Sequence, residues 1–248
     1  MSTWTLDPAY ATEATGALFS DLDAVFALQG EIITRDDISE VHRLQVGDQQ
    51  FYVKRYIAAG KNLRRFIGRP RIRAEWENLL KFKRWGIPTV PVVGYGMQRR
   101  GLMFDRGALI TLGIPDTRDL AGLPCSEHAL LDNAAWRRSV IRQVARATRT
   151  MHDHGFAHND LKWRNILADA QIPPRIYLID CPAGSKWPGP LLNYRIIKDL
   201  ACLDKLGKYH LRNTDRLRFY LDYTGRDRLD SRDKQRIKRI VRFFEGRE

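Results

Sequence analysis

The stretch that decides the fold spans residues 158–165 and reads HNDLKWRN. It combines an acid, two bases and two amides within eight residues. Just upstream, apolar residues from Trp136 to Met151 recur at helical spacing, and Gly155 supplies the helix stop. We therefore expect a polar loop that follows directly on a long helix.

The spacing H-x-D-L-K-x-x-N within this loop is typical of a phosphotransferase catalytic loop. Phosphoryl transfer needs an acceptor hydroxyl aimed in line at the γ-phosphorus, and cations that absorb charge on the phosphate oxygens. Asp160 is suited to accept or orient the hydroxyl proton, and Lys162 to lie over the γ-phosphate. Asn165 offers a neutral oxygen to Mg²⁺, a cation that prefers oxygen ligands. We interpret His158 as a buried scaffold of the loop in preference to a proton carrier.

A second acidic position follows the loop along the chain. Residues 166–168 and 175–179 predict two short strands joined by a turn, and Asp180 ends the second strand. A carboxylate at the end of a buried apolar strand is costly unless it meets a cation. A turn cap is the alternative interpretation, and the catalytic-loop motif upstream makes it the weaker one. We expect Asp180 to bind Mg²⁺ that bridges the β- and γ-phosphates.

A third candidate lies in the first half of the chain, on a predicted hairpin. Residues 42–46 and 49–56 are β-prone and flank the two-residue turn at 47–48, which reads Gly-Asp. Lys54 falls on the second of these strands. In that position it can reach the α- and β-phosphates of a nucleotide.

The helix that follows offers Lys54 a counter-ion. Residues 73–85 predict a helix that stops at Gly86. Glu75 in this helix is the expected partner of Lys54. Glu77 is the rival, but it is two positions away and lies on a different helix face.

The distribution of predicted elements indicates an α+β chain with two lobes. Strand-like segments at residues 90–95, 101–104 and 108–112 complete a strand-rich front, whereas the back is mostly helical. We expect an N-lobe at 1–112 that binds nucleotide. We expect a compact helical C-lobe at 113–248 that carries the catalytic loop and the metal site, with the active-site cleft between the lobes.

The net charge and the cysteines of the chain indicate its cellular compartment and the kind of partner it binds. The 248-residue chain has 42 Lys and Arg against 29 Asp and Glu, a net charge of +13 that favours anionic partners. Cys125, Cys181 and Cys202 are widely spaced and predict free thiols in a reducing compartment. The start lacks a secretory signal and no apolar run is long enough to span a membrane, which favours a cytoplasmic, soluble or peripheral protein. No helix-turn-helix, zinc-finger or RNP signature is visible, and we expect no nucleic-acid partner.

Segments outside the loop resemble those of a known family. They read FYVKRY at residues 51–56, RAEWE at 73–77, GIPT at 86–89 and DLA at 199–201. Together with the catalytic set they resemble the bacterial lipopolysaccharide core sugar kinases, the Kdo/heptose kinase group of the protein-kinase-like superfamily, over about residues 30–210. The resemblance implies a protein-kinase-like fold with ATP and Mg²⁺ as cofactors. It also implies, as acceptor, the lipopolysaccharide core saccharide or a lipid A-core precursor, at the cytoplasmic face of the inner membrane.

The resemblance implies further site residues. In such kinases the segment that joins the lobes binds adenine through backbone groups, which points here to residues 110–114 and specifically to Ile110 and Leu112. Asp199 would bond the catalytic loop from the helix that follows it.

Two features depart from the pattern of protein kinases. Residues 35–41 read RDDISEV, so the glycine-rich phosphate loop is replaced by a few backbone N–H groups and Ser39. Only 18 residues separate Asp180 from Asp199, and no A-P-E signature occurs. A peptide-docking segment is therefore not expected, which favours a small acceptor.

A strongly basic stretch at residues 61–73 reads KNLRRFIGRPRIR, with six cations and no acid. Its ordinary interpretation is a solvated face, since Lys and Arg are mostly exposed. The functional one is attraction to a phosphorylated saccharide or to the anionic inner-membrane surface.

These observations favour an ATP-dependent kinase that phosphorylates a heptose or Kdo hydroxyl of the lipopolysaccharide inner core. Two alternatives stay open. One is a kinase of another small acceptor, because the motif reports only the phosphate half of the reaction. The other is a pseudokinase binding module, which the missing glycine loop motivates.

Overall fold

The structure is a computed structural model, and it describes residues 2–60, 68–126 and 128–246. The basic stretch predicted at 61–73 lies mostly outside these residues, because its first seven positions are not among them. None of the described helices is both long enough and apolar enough to cross a bilayer.

Contacts divide the chain into two units. The first comprises Met1–Leu80 and Val90–Pro115, and the second comprises Lys81–Thr89 and Asp116–Glu248. The sequence predicts the boundary between the two lobes at residues 112/113. The contacts place it three residues later and assign the short segment Lys81–Thr89 to the second unit. That segment joins the second unit because its aromatic rings, including that of Phe82, pack against a ring of that unit.

The first unit is built on a six-stranded sheet in which every pairing is antiparallel. Its strands are β1 (Ser2–Leu6), β2 (Glu31–Arg35), β3 (Ser39–Val46), β4 (Gln49–Tyr56), β5 (Val92–Arg100) and β6 (Met103–Leu112), in the order β1-β5-β6-β4-β3-β2. Its helices are α1 (Glu13–Leu18), α2 (Leu22–Ala27) and most of α3 (Arg71–Arg84).

The strand β4 shows how alternation positions a functional side chain. Phe51 and Val53 are fully buried and join Phe19 and Ile110 in the core of the unit. Since successive side chains of a strand point to opposite faces, Lys54 lies on the face away from that core. The predicted hairpin of β3 and β4 is confirmed, with Gly47 at φ 58° in its turn.

Two strand predictions differ from the structure. The separate pieces predicted at residues 101–104 and 108–112 form the single strand β6, because the turn is confined to the positions around Gly101, which has φ 62°. The strand β1 was not predicted. It pairs with β5, more than eighty residues away in the chain, and local sequence carries no signal of that pairing.

The second unit is mostly helical. Its helices are α4 (Leu123–Ser126), α5 (His128–Asp132), α6 (Ala134–Asp153), α7 (Gly189–His210), α8 (Asn213–Thr224) and α9 (Ser231–Val241). Its strands are β7 (Thr117–Asp119), β8 (Phe156–Ala157), β9 (Ile166–Asp169), β10 (Ile176–Leu178) and β11 (Ser185–Lys186), in the sheets β10-β9-β7 and β11-β8. The predicted α+β class is confirmed. So is the helix before the 158–165 loop, whose residues Trp136, Val140, Val144 and Met151 are all buried in α6.

Candidate active site

Asp199 of α7 hydrogen-bonds the loop at residues 158–165, here called the catalytic loop. This carboxylate is fully buried. Its two oxygens accept the backbone N–H groups of His158 and Asn159 at 2.7 and 2.8 Å, and His152 Nε2 lies 3.4 Å away. A buried carboxylate is tolerated when donors surround it. Asp199 therefore fixes the backbone at the start of the loop, in the role that the sequence resemblance assigned to it.

Asn159 gives the loop its turn. It adopts φ 66°, a left-handed conformation that Asn tolerates better than most residues. Its side-chain Nδ2 donates to the carbonyls of Ala183, at 2.8 Å, and Ala157, at 3.3 Å. The amide thus ties the loop to the segment that follows Asp180.

His158 has the surroundings of a structural residue. Its side chain is fully buried and stacks on Phe82, with ring centroids 6.1 Å apart. Within the described part of the chain neither ring nitrogen has a hydrogen-bond partner. Burial lowers the pKa of the imidazole, and nearby carboxylates oppose that shift only in part. These surroundings support the interpretation of His158 as a neutral scaffold.

Asp160 lies beside two cations. Lys162 Nζ is 2.6 Å from one carboxylate oxygen, and Arg164 Nη2 is 3.6 Å from the other. About a third of the Asp160 side chain is exposed, so a solute can reach it. The arrangement offers a hydrogen-bond acceptor next to positive charge, which is the pairing that proton transfer from a hydroxyl to a carboxylate near phosphate requires.

Asn165 and Asp180 meet at the end of the loop. Asn165 is buried, and its Nδ2 donates to the carbonyl of Asp160 at 2.8 Å. The side-chain oxygen is therefore the end that remains for a ligand. The Asn165 carbonyl accepts the N–H of Ile179 at 3.0 Å, which brings Asp180 beside it in the fold. Asp180 itself has φ 54°, a strained conformation that costs an aspartate about 1–3 kcal/mol.

This pair fits the Mg²⁺ that the family resemblance implies. Among the described residues, no three His, Cys, Asp or Glu side chains come together as a metal site of their own. Mg²⁺ at nucleotide sites takes one or two protein ligands and completes its shell with phosphate oxygens and water. An amide oxygen from Asn165 and a carboxylate from Asp180 match that donor set.

In the first unit, the structure pairs Lys54 with Glu75. Lys54 Nζ lies 2.9 Å from a Glu75 oxygen, and the Tyr56 hydroxyl donates to the same carboxylate at 2.5 Å. Both side chains of the ion pair are largely buried. The rival Glu77 instead binds Arg69 and Arg73, at 2.6 and 2.8 Å.

Ile110 and Leu112, the predicted adenine contacts, both lie in the strand β6. Ile110 is fully buried in the middle of the sheet, between Val53 of β4 and Gly94 of β5. The N–H of Leu112 donates to the carbonyl of Pro91 at 3.0 Å. The strand β6 continues through both positions, so binding of adenine to their backbone groups stays a prediction.

Ser39, the predicted phosphate contact, lies beside Asp36. Asp36 Oδ1 accepts the N–H groups of Ile38 and Ser39 at 2.9 and 2.8 Å and lies 3.4 Å from the Ser39 hydroxyl. The loop between β2 and β3 therefore presents a carboxylate where a phosphate cradle would present bare amides.

Three contributors to these sites went unpredicted. Tyr56 carried a usable signal, because it lies two residues after Lys54 and so shares its face of β4. Arg164 is four residues after Asp160, a spacing that also suggests proximity. The amide bonds of Asn159 reach a carbonyl 24 residues away, and no sequence pattern marks them.

Known proteins agree with this geometry. The model of the Lipopolysaccharide kinase (Kdo/WaaP) family matches residues 23–223. A solved structure titled "WaaP in complex with acyl carrier protein" superposes with a TM-score of 0.76 at 21% identity, covering 98% of both chains, and shows that the fold is protein-kinase-like. A probable serine/threonine-protein kinase of fowlpox virus is 28% identical over 107 residues, 43% of this chain but about a third of the viral protein's length. The resemblance noted in the sequence is confirmed: the chain belongs to the lipopolysaccharide kinase (Kdo/WaaP) family.

Proposed function

We propose that this protein transfers the γ-phosphoryl group of ATP to a sugar hydroxyl, of heptose or Kdo, in the inner core of lipopolysaccharide. The observation that carries the proposal is the catalytic loop, anchored on buried Asp199 with Asp160 accessible at its surface. Family membership supplies the class of acceptor.

In this reaction the acceptor hydroxyl donates a hydrogen bond to Asp160. Its oxygen attacks the γ-phosphorus, the bond to the bridging β,γ-oxygen breaks, ADP leaves, and Asp160 takes the hydroxyl proton. Lys162 places positive charge beside the γ-phosphate. Asn165 and Asp180 would hold Mg²⁺, which would supply charge neutralisation to the phosphates when bound. Lys54, oriented by Glu75, binds the α- and β-phosphates.

The short segment after Asp180 supports a saccharide acceptor over a peptide. The strand β11 begins five residues after Asp180, and α7 begins at Gly189. A peptide-docking activation segment has no chain from which to form between them. The acceptor core is carried on a lipid, so we place the protein at the cytoplasmic face of the inner membrane.

The test incubates purified protein with Mg²⁺-ATP and lipid-free inner-core saccharide. Mass spectrometry then measures phosphate transfer to the saccharide. We expect Asp160→Asn to lower the rate about 10²–10⁴-fold, the usual contribution of a positioned acid or base. Asp153→Asn, at an exposed position of α6, is the matched control and keeps the rate. An Asp160→Asn variant as active as the wild type would overturn the mechanism.

The transfer experiment, together with calorimetry of Mg²⁺-ATP binding, separates the alternative functions. A pseudokinase shows no Mg²⁺-ATP binding by calorimetry and no transfer. A kinase of another small acceptor hydrolyses or transfers from ATP but leaves the core saccharide unmodified.

We also propose an acyl carrier protein as a partner. The second unit holds a cavity of about 440 Å³ lined by four helices, with Trp136, Val140, Leu203, Phe219 and Ile240 among its apolar walls. An acyl chain is the apolar cargo that such a carrier presents, and the solved WaaP structure contains this partner.

The cavity can be filled at Gly207, whose added Cβ would meet only ordinary contacts at 3.8 Å or more. We expect Gly207→Leu to lower capture of acyl carrier protein from purified components, and circular dichroism checks that the variant is folded. Equal capture by this variant would contradict the proposal.

A further inference from the structure

The hairpin of β5 and β6 extends beyond the strands that flank it. The pairing of β4 with β6 stops at Tyr56 and Gly107, and that of β1 with β5 stops at Ser2 and Gln98. Beyond these positions no described strand flanks the hairpin. Residues 99–106 therefore form a two-stranded ribbon about 10–13 Å long, at roughly 3.3 Å per residue. The base of this ribbon contacts α2 through the ion pair of Arg106 with Asp23, and its tip at residues 100–103 is exposed.

The tip of this ribbon is apolar. Gly101, with φ 62°, takes the first central position of the turn, as a type II′ turn requires. Leu102 follows it and is 92% exposed, the largest exposed fraction among the large apolar side chains that the structure describes. Met103 is 53% exposed. Two adjacent apolar side chains at a projecting tip gain nothing from the core of the unit, so burial elsewhere would favour them.

Arginines surround this tip. Arg100 pairs with Met103 across the hairpin and is 87% exposed along its side chain, and Arg99 pairs with Phe104. Asp105 is the one acid of the ribbon, and its carboxylate lies 3.5 Å from Arg100. The tip is thus apolar at its end and positively charged directly behind.

We propose that the hairpin tip, residues 99–103, docks on an anionic lipid bilayer. Leu102 and Met103 enter the boundary between headgroups and acyl chains, and the guanidinium groups of Arg99 and Arg100 bind lipid phosphate. The net charge of +13 attracts the whole chain to the same surface. The order of groups along the ribbon, apolar and then cationic, matches the order of a bilayer from its acyl chains outward.

The inference rests on the proposed function for its purpose, since a lipid-borne acceptor requires a kinase at the membrane. Its test does not use ATP. Purified protein is sedimented with vesicles of phosphatidylethanolamine containing about 30% phosphatidylglycerol, and with vesicles of phosphatidylcholine alone. We expect binding to the anionic vesicles that weakens as salt rises from 0.1 to 0.5 M.

Two variants probe the tip. Leu102→Asp and the double variant Arg99→Glu/Arg100→Glu should each lower the partition coefficient at least about tenfold, and thermal unfolding checks that each variant is folded. Ile172→Asp is the control for the first, as Ile172 is a 62% exposed apolar residue of the second unit. Arg228→Glu/Arg232→Glu is the control for the second, because it changes the net charge by the same amount at exposed positions near α9. The first control should bind as the wild type does, and the second should lose clearly less binding than the arginine variant of the tip, because it changes only the net charge.

Four results would overturn the proposal. The first three are tip variants that bind vesicles as the wild type does, controls that lose as much binding as the tip variants, and wild-type protein that binds neutral and anionic vesicles equally. The fourth is a tip variant that binds vesicles normally but changes the oligomeric mass of the protein. That result would assign the tip to contact with a second copy. Transfer to lipid-free saccharide is measured in parallel. Normal vesicle binding without transfer would overturn the proposed function alone, and transfer without vesicle binding would overturn this inference alone.

Discussion

Two buried titratable side chains lie at the base of the catalytic loop, and they make different kinds of contact. Asp199 accepts two backbone N–H groups, whereas the neighbouring imidazole of His158 makes its contacts through ring stacking. Burial keeps the imidazole in its neutral form, because it lowers the pKa of the ring. The loop geometry therefore depends on the hydrogen bonds of Asp199 and on a neutral His158 ring.

At the residue scale we predict that His158 makes stability pH-dependent. Its pKa is lowered in the fold, so the unfolded chain takes up a proton below about pH 6.5 while the native chain does not. Stability contributed by the neutral ring is complete above that pH and is lost as the pH falls toward the native-state pKa. Between pH 7.5 and 5.5, the unfolding free energy of the wild type should fall more than that of His158→Phe, because only the wild type carries this imidazole. Urea unfolding at both pH values measures this, and a difference that is the same at both contradicts it.

At the element scale, the pair of Lys54 and Glu75 joins the strand β4 to the helix α3. Because the carboxylate is buried and also accepts the Tyr56 hydroxyl, the helix has a fixed rotation about its axis relative to that strand. The exposed pair of Arg73 and Glu77 on the same helix contributes much less, since solvent screens it.

A double-mutant cycle tests this difference. Lys54→Met removes the cation of a buried carboxylate and should cost about 2–4 kcal/mol of unfolding free energy. Adding Glu75→Gln to Lys54→Met should restore most of the lost unfolding free energy, with a coupling energy above about 1 kcal/mol. Phosphotransfer should stay lost in both single variants and in the double variant. The cycle of Arg73→Met and Glu77→Gln should give about 0.3–0.5 kcal/mol. Similar coupling in both cycles would show that the burial of the Glu75 pair has no energetic effect.

At the scale of the whole molecule, we predict that nucleotide and metal stabilise the chain together. Mg²⁺-ATP at a hundredfold excess over its Kd should add about 2.7 kcal/mol, or about 5–10 °C in Tm for a protein of this length. Asp180→Asn should remove the part of the shift that depends on Mg²⁺, while Asn tolerates the left-handed backbone that this position requires. Thermal shift with Mg²⁺ and with EDTA measures both parts, and a full Mg²⁺-dependent shift in Asp180→Asn would rule out its role as a ligand.

The parts of the molecule that sequence predicted are those whose spacing is local. The catalytic loop is contiguous, and the choice of Glu75 over Glu77 follows from which face of a helix each occupies. The adenine contacts at Ile110 and Leu112 stay a prediction, and the pairing of β6 with strands distant in the chain could not be read from local sequence. The cavity between α6, α7, α8 and α9 depends on how four helices pack, and no single segment contains that information.

The loop between β2 and β3 has a consequence for inhibitor chemistry. Asp36 already occupies the amides that in glycine-rich loops attract phosphate, and it does so with a fixed negative charge. Compounds with acidic tails, which suit kinases with an open amide cradle, would be repelled there. Compounds that carry an amine or an amidine would be attracted to the same spot, so selectivity against ordinary kinases can be built from the sign of one substituent.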